Sequence, residues 1–132
     1  MTKEKGGNDV LVIDDDSFLL DMYALKFTQK GFQVTSLPST LLALEQLRGG
    51  LSPSIIVVDL VMPGMDGFEF LEVIHTEGLA PNALVIVLSN LGEQEDVDRA
   101  LKLGAAGYII KASATPSEVV EKVKEAMERN KK

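Results

Sequence analysis

The sequence predicts a doubly wound α/β fold built on a five-stranded parallel sheet. Two observations carry that prediction. Short apolar runs, too brief for helices, alternate five times with segments whose apolar residues recur at helical spacing. The central runs, SIIVVDL and ALVIVLS, are apolar on both faces, as strands covered by helices on either side must be. Right-handed crossovers with one reversal of winding then give the strand order 2-1-3-4-5.

Each element has its own signal. Residues 10–13 (VLVI) form the first strand, and Asp16 caps a helix with Leu19, Leu20, Tyr23 and Phe27 on one face, closed by Gly31. Residues 32–36 read as a second, less apolar strand. Ser39 caps a second helix carrying Leu41, Leu44 and Leu47 and ending at Gly49 and Gly50. SIIVVDL is the third strand and MPGMDG a turn-rich loop. A third helix turns Phe68, Leu71 and Ile74 inward and stops at Gly78. ALVIVLS is the fourth strand. EQEDVDRALKLG is a helix with a narrow apolar face of Val97, Ala100 and Leu101 and a glycine stop, and AAGYIIK is the fifth strand. The last helix has the clearest start: Thr115 caps it, Pro116 takes the first helical position, and Glu118 completes a capping box. Val119, Val123 and Met127 form its buried stripe, and ERNKK places cations in its last turn.

The 132 residues are expected to form a short disordered lead over 1–8 and a single domain over 9–132. A net charge of −7 argues against a nucleic-acid surface, which needs a basic patch. Without cysteine there is neither a disulfide framework nor a thiolate metal site. No apolar run approaches the ~20 residues of a membrane span, and MTKEKGGND lacks the apolar core of a signal peptide. A cytoplasmic protein is the expectation.

In such folds ligands bind beyond the carboxyl ends of the strands, at the switch point between the first and third. Strand one ends at Asp14 and Asp15, strand three at Asp59, strand four at Ser89 and strand five at Lys111. Any one of these is an ordinary turn or cap residue, and Asp16 is assigned that role. Together they deliver three acids, a hydroxyl and an amine to one rim. Two carboxylates ~4 Å apart repel by about 4 kcal/mol at an effective dielectric near 20, so the acids call for a cation. The ligands are hard oxygens, which favours Mg²⁺. A divalent ion, an ammonium and a hydroxyl converging on one carboxylate describe a phosphoryl-transfer site, with Asp59 as the attacking group.

VLVIDDDS, IIVVDLVMPGMDGFEFL, VIVLSN and GYIIKA together resemble the receiver domain of two-component response regulators, over about residues 9–130. The resemblance implies the flavodoxin-like (βα)5 sandwich. It also implies that Asp59 accepts phosphate from a histidine kinase or phosphotransfer protein. By the same resemblance Asp15 and Asp59 bind Mg²⁺ directly, with the Val61 backbone carbonyl as a third ligand and Asp14 acting through water. Lys111 pairs with a phosphate oxygen and Ser89 moves to hydrogen-bond the phosphoryl group. Tyr108 turns inward with it, reshaping the surface of helix four, strand five and helix five for an output partner or effector domain. Pro63 and Gly67 shape the loop and open helix three.

The sequence departs from that family at several places, the loop from Lys111 to Pro116 being one residue longer than the commonest spacing among them. Lys111 is usually followed by a cis proline, and here Ala112 follows. Either a cis bond costing ~3–4 kcal/mol is sustained or the loop is rebuilt. Asn90 stands where a small residue commonly follows the hydroxyl, and it could narrow access or supply an amide. Val61 and Leu91 are apolar and cannot orient a hydrolytic water, which predicts slow self-dephosphorylation. His75, the sole histidine, falls on helix three away from the rim, and Met62 and Met65 pack the acid-bearing loop.

The alternatives are a small Mg-dependent phosphatase of the haloacid-dehalogenase kind and a receiver that binds partners without phosphate. The phosphatase would use Asp14-x-Asp16, Ser89 and Lys111, leaving Asp59 without a role. A dinucleotide-binding domain is disfavoured because no G-x-G-x-x-G follows strand one.

Overall fold

The computed structural model describes residues 8–130, so most of the expected lead, residues 1–7, and the final Lys131 and Lys132 lie outside the described residues. Five parallel strands, β1 (Asp9–Ile13), β2 (Gln33–Leu37), β3 (Ile55–Val58), β4 (Leu84–Ser89) and β5 (Gly107–Ile110), lie in the order β2-β1-β3-β4-β5. Between and after them run α1 (Ser17–Gln29), α2 (Thr40–Arg48), α3 (Gly67–Glu77), α4 (Gln94–Lys102) and α5 (Pro116–Arg129). The predicted topology is the observed one. No helix among the described residues is long and apolar enough to cross a membrane.

Strand periodicity divides the core in two. Leu11, Ile13, Ile56, Val58, Val85 and Val87 face α2, α3 and α4. Their neighbours Val10, Val12, Ile55, Val57, Ile86 and Leu88 face α1 and α5. Successive side chains point to opposite faces, so a continuous apolar run supplies both layers. Each large side chain so buried contributes roughly 1.5–3 kcal/mol.

The helix ends follow the expected chemistry. Asp16 accepts the Leu19 amide at 3.0 Å and Ser39 that of Leu42 at 3.1 Å. Thr115 and Glu118 close a reciprocal box, and Asp66 and Glu69 close another at α3. Gly78 ends α3 in the left-handed region at φ 68°, where only glycine sits without strain. The last turn of α5 holds Arg129.

Several inward assignments need correction. Leu41 is 56% exposed, because a helix beginning at Thr40 turns Thr40, Ala43, Leu44 and Leu47 to the sheet and leaves Leu41 a quarter-turn away. Leu101 is also exposed, and Ala100 alone is buried in α4. In α5 Val119, Val120, Val123 and Ala126 form the stripe, with Met127 half-buried at its edge. Phe32 precedes β2 rather than joining it, and packs edge-on to Phe27 with ring centroids 5.1 Å apart.

Among the described glycines, Gly67 leaves the least room for a side chain. Its amide donates to the Leu60 carbonyl at 2.9 Å. A Cβ there would meet the Asp59 carbonyl oxygen at 2.5 Å and Leu60 Cα at 2.7 Å. Both are backbone atoms, so neither can swing aside. Gly67→Ala is expected to destabilise the protein by about 1–3 kcal/mol, the usual cost of overpacking, read as a lower urea midpoint at unchanged slope. An unchanged midpoint would show that α3 can retreat from β3 without loss.

Candidate phosphoacceptor and metal site

The backbone ladder carries the acids to the rim. One rung past β1 and β3, the Asp14 amide donates to the Leu37 carbonyl (3.2 Å) and the Asp59 amide to that of Ile13 (3.1 Å). Both residues are buried, Asp14 to 1% and Asp59 to 5% exposure, while Asp15 beside them is open to solvent. One carboxylate oxygen from each of Asp14, Asp15 and Asp59 lies within 4.8 Å of the others.

Lys111 reaches this cluster from β5. Its Nζ stands 2.8 Å from Asp14 Oδ2 and 2.9 Å from Asp59 Oδ2. The second contact is a well-formed hydrogen bond; the first is an ion pair whose alignment falls short of one. Burial acts to lower the lysine's pKa, yet the two carboxylates outweigh it and hold the ammonium well above the usual lysine range. For Asp14 burial is the largest effect and raises the pKa; Lys111 and the Asp16 amide oppose it, and Asp59 adds repulsion. The other oxygens are committed nearby. Asp14 Oδ1 accepts the Asp16 amide at 2.9 Å and Asp59 Oδ1 accepts that of Val61 at 3.1 Å.

The residues fit a divalent cation. Three carboxylates face one ammonium, and the donors are all hard oxygens. Asp14 Oδ2 is buried with no hydrogen bond of its own. Val61 lies 58% exposed at the edge of the cluster.

Ser89 is fully buried at the tip of β4, where its Oγ accepts the Leu91 amide at 3.3 Å. Tyr108 is half-buried and donates its hydroxyl to the Leu91 carbonyl at 2.6 Å, so it is joined to the loop that carries Ser89. After β5 the peptide bonds are trans, and residues Lys111–Ser113 form a single 3-10 turn. Of the two possibilities at Lys111-Ala112, the loop is rebuilt.

Other predicted residues fall away from the cluster. Asp16 is exposed and occupied with its cap, so the D-x-D pairing of a phosphatase is not assembled. His75 is exposed near the far end of α3, about 12 Å of helix from Gly67. Met62 is buried and Met65 half-buried under the loop. Sequence reading missed Thr40, whose buried hydroxyl donates to the Met65 carbonyl at 2.6 Å and ties the acid-bearing loop to α2. It also missed Arg99, whose guanidinium sits 4.2 Å over the Phe68 ring and pins α4 to α3. Neither has a local sequence signal.

Comparison with known proteins agrees with this geometry. The family described as response regulator receiver domain matches residues 10–124. The chemotaxis protein CheY of Thermotoga maritima is 34% identical over 115 residues, covering 87% of this chain and 93% of its own. The phosphate regulon transcriptional regulatory protein PhoB of Escherichia coli is 32% identical over 120 residues, covering 91% of this chain. This chain spans about half of PhoB, 52% of its length. A CheY-like receiver domain protein from Methanospirillum hungatei superposes with a TM-score of 0.83 at 25% identity, covering 94% of this chain and 96% of its own. A Francisella response regulator receiver domain gives 0.82 at 30% identity, covering 95% and 100%. Receiver domains serve as phosphorylation-activated signalling switches and generally use a metal ion. On sequence, topology and rim alike, this chain belongs to the family of response regulator receiver domains of two-component systems.

Proposed function

We propose that this chain takes a phosphoryl group onto Asp59 from a histidine kinase or phosphotransfer protein, and signals through the surface of α4, β5 and α5. The observation that carries the reading is the Lys111 ammonium, within 2.9 Å of both Asp14 and Asp59 beside a third acid. A carboxylate oxygen of Asp59 attacks phosphorus in line. The new O–P bond forms as the donor's N–P bond breaks, and the imidazole leaves with its electron pair and takes a proton. Lys111 transfers one of its hydrogen bonds from Asp59 to a phosphoryl oxygen. Mg²⁺, held by Asp15, Asp59 and the Val61 carbonyl with Asp14 acting through water, would supply charge neutralisation at the phosphoryl oxygens. Asp59 is consumed by each transfer, so the chain acts as a self-modifying switch rather than a multiple-turnover enzyme.

The switch is a competition for acceptors. Ser89 Oγ now serves the Leu91 amide, and Tyr108 holds the carbonyl of the same residue. A phosphoryl group adds charge and acceptor oxygens. Ser89 turning toward it releases the Leu91 amide, and Tyr108 follows the loop. A small stability difference between two packings is then enough to redistribute them. An output partner or effector domain reads the result. With a net charge of −7 the receiver itself is not a nucleic-acid surface, and a cytoplasmic setting suits an aspartyl phosphate fed by a kinase.

Intact mass after acetyl phosphate and Mg²⁺ is expected to show one added phosphoryl group, absent in Asp59→Asn. The added group should outlast seconds, because Val61 and Leu91 are both apolar and cannot orient a hydrolytic water. Modification of Asp59→Asn to the same extent would move the acceptor elsewhere. In amide NMR spectra, phosphorylation should shift resonances of α4 and β5, and Ser89→Ala should abolish those shifts while still taking phosphate. Shifts that persist in Ser89→Ala would remove the hydroxyl from the switch.

Asp14 offers a test of the cation requirement. Its native pKa is raised above the ordinary 3.8, with burial as the leading cause. The native state therefore holds the proton more tightly than the unfolded chain. That contribution to stability is present in full below the unfolded value and is lost as pH rises through the native one. Asp14→Asn keeps an acceptor for the Asp16 amide and carries no charge. Without divalent ions it is expected to be more stable than wild type at pH 7, and the difference should close on acidification toward the unfolded value. A less stable variant at pH 7 would mean that the Lys111 pair outweighs burial.

A further inference from the structure

We propose that Asn90 is a positioning residue for Lys111, acting through a hydrogen bond to the Ala112 amide that ties together the tips of β4 and β5. The inference rests on the phosphoryl-transfer reading above. The two strands pair in parallel, and their last matched residues are Ser89 and Ile110. Beyond that rung the backbones diverge, one into the loop toward α4 and the other into the 3-10 turn. Across the gap Asn90 Oδ1 accepts the Ala112 amide at 2.9 Å. A side chain thus supplies one more rung after the backbone ladder ends.

The residues it joins are the immediate neighbours of the two that matter at this rim. Ser89 precedes Asn90 and Lys111 precedes Ala112. The turn is otherwise thinly held. Ala112 and Ser113 are exposed, and the return bond from the Ala114 amide to the Lys111 carbonyl is long at 3.3 Å. A single 3-10 turn has poor hydrogen-bond geometry of its own. Lysine reaches its partners on a flexible four-carbon stem, so where its ammonium sits depends on where its backbone is held. Asn90 provides that hold. The arrangement requires an N–H at position 112, which a proline would lack, so Asn90 and Ala112 form a matched pair. Tyr108 binds the Leu91 carbonyl from the other side of Lys111. The loop at 89–91 is therefore tethered to β5 both before and after the lysine.

The test follows phosphorylation of the whole chain by acetyl phosphate and Mg²⁺ with time, by intact mass. Asn90→Ala is expected to slow uptake by roughly threefold to tenfold, the worth of one net hydrogen bond. In an Ala112→Pro background the donor is already gone, and Asn90→Ala should change nothing further. Hydrogen exchange reads the bond itself. The Ala112 amide should be protected in wild type and in Asn90→Asp, which keeps the acceptor, and unprotected in Asn90→Ala. Uptake by Asn90→Ala at the wild-type rate overturns the inference, as does an undiminished effect of Asn90→Ala in the Ala112→Pro chain. Should the proline variant not fold, equal protection of Ala112 in wild type and Asn90→Ala overturns it instead. A wild-type chain that takes up no phosphoryl group overturns the functional reading and this inference together. Wild-type uptake with an unaffected Asn90→Ala overturns this inference alone.

Discussion

The rim of this protein depends on one cation between two buried anions. Asp14 and Asp59 are delivered side by side because β1 and β3 are hydrogen-bonded neighbours, and each acid sits one rung past its strand. Left alone they would repel in a poorly solvated place. Lys111 answers that repulsion at 2.8 and 2.9 Å, yet a third acid, Asp15, stands within the same cluster. The charges remain unequal. That residual negative potential suits the cluster to hold a metal ion, while the lysine keeps its proton firmly because Asp14 and Asp59 together outweigh its burial.

The scaffold keeps this arrangement rigid by separating tasks. Alternate strand residues pack into two apolar layers, one under α1 and α5, the other under α2, α3 and α4. The strand ends can then be polar without weakening the centre. Around the rim the restraints are short and specific. Gly67 lets α3 begin against the Asp59 backbone, Thr40 fixes the loop through Met65, and Tyr108 holds Leu91. The acid-bearing loop is anchored to helices, whereas the Ser89 loop is anchored to a neighbouring strand by side chains. The second set of tethers is the one that the proposed switch would exchange.

Much of this was legible in the residues. The Thr115–Glu118 capping box joins residues three apart, and Asp16, Ser39 and Thr115 announce helix starts locally; the equally local Asp66–Glu69 box came to light only with the structure. The apolar strands were equally plain, and so was the polar residue at each strand end. Errors arose where a local pattern met a tertiary choice. Leu41 and Leu101 have helical spacing that fits an inward face, but the rotation of α2 against the sheet sets Thr40 and Ala43 inward instead of Leu41, and that of α4 keeps Ala100 buried while turning Leu101 out.

By itself the sequence determined the alternation of strand and helix, the helix caps and the identity of the groups at the rim, because those depend on periodicity and on bonds between near neighbours. Tertiary structure alone decided that Lys111 bridges Asp14 and Asp59, that Thr40 holds Met65, and that Asn90 meets Ala112. Those partners are separated by between 22 and 97 residues of chain. Whether such groups come within 3 Å depends on strand register, helix rotation and loop path, none of which a local pattern encodes.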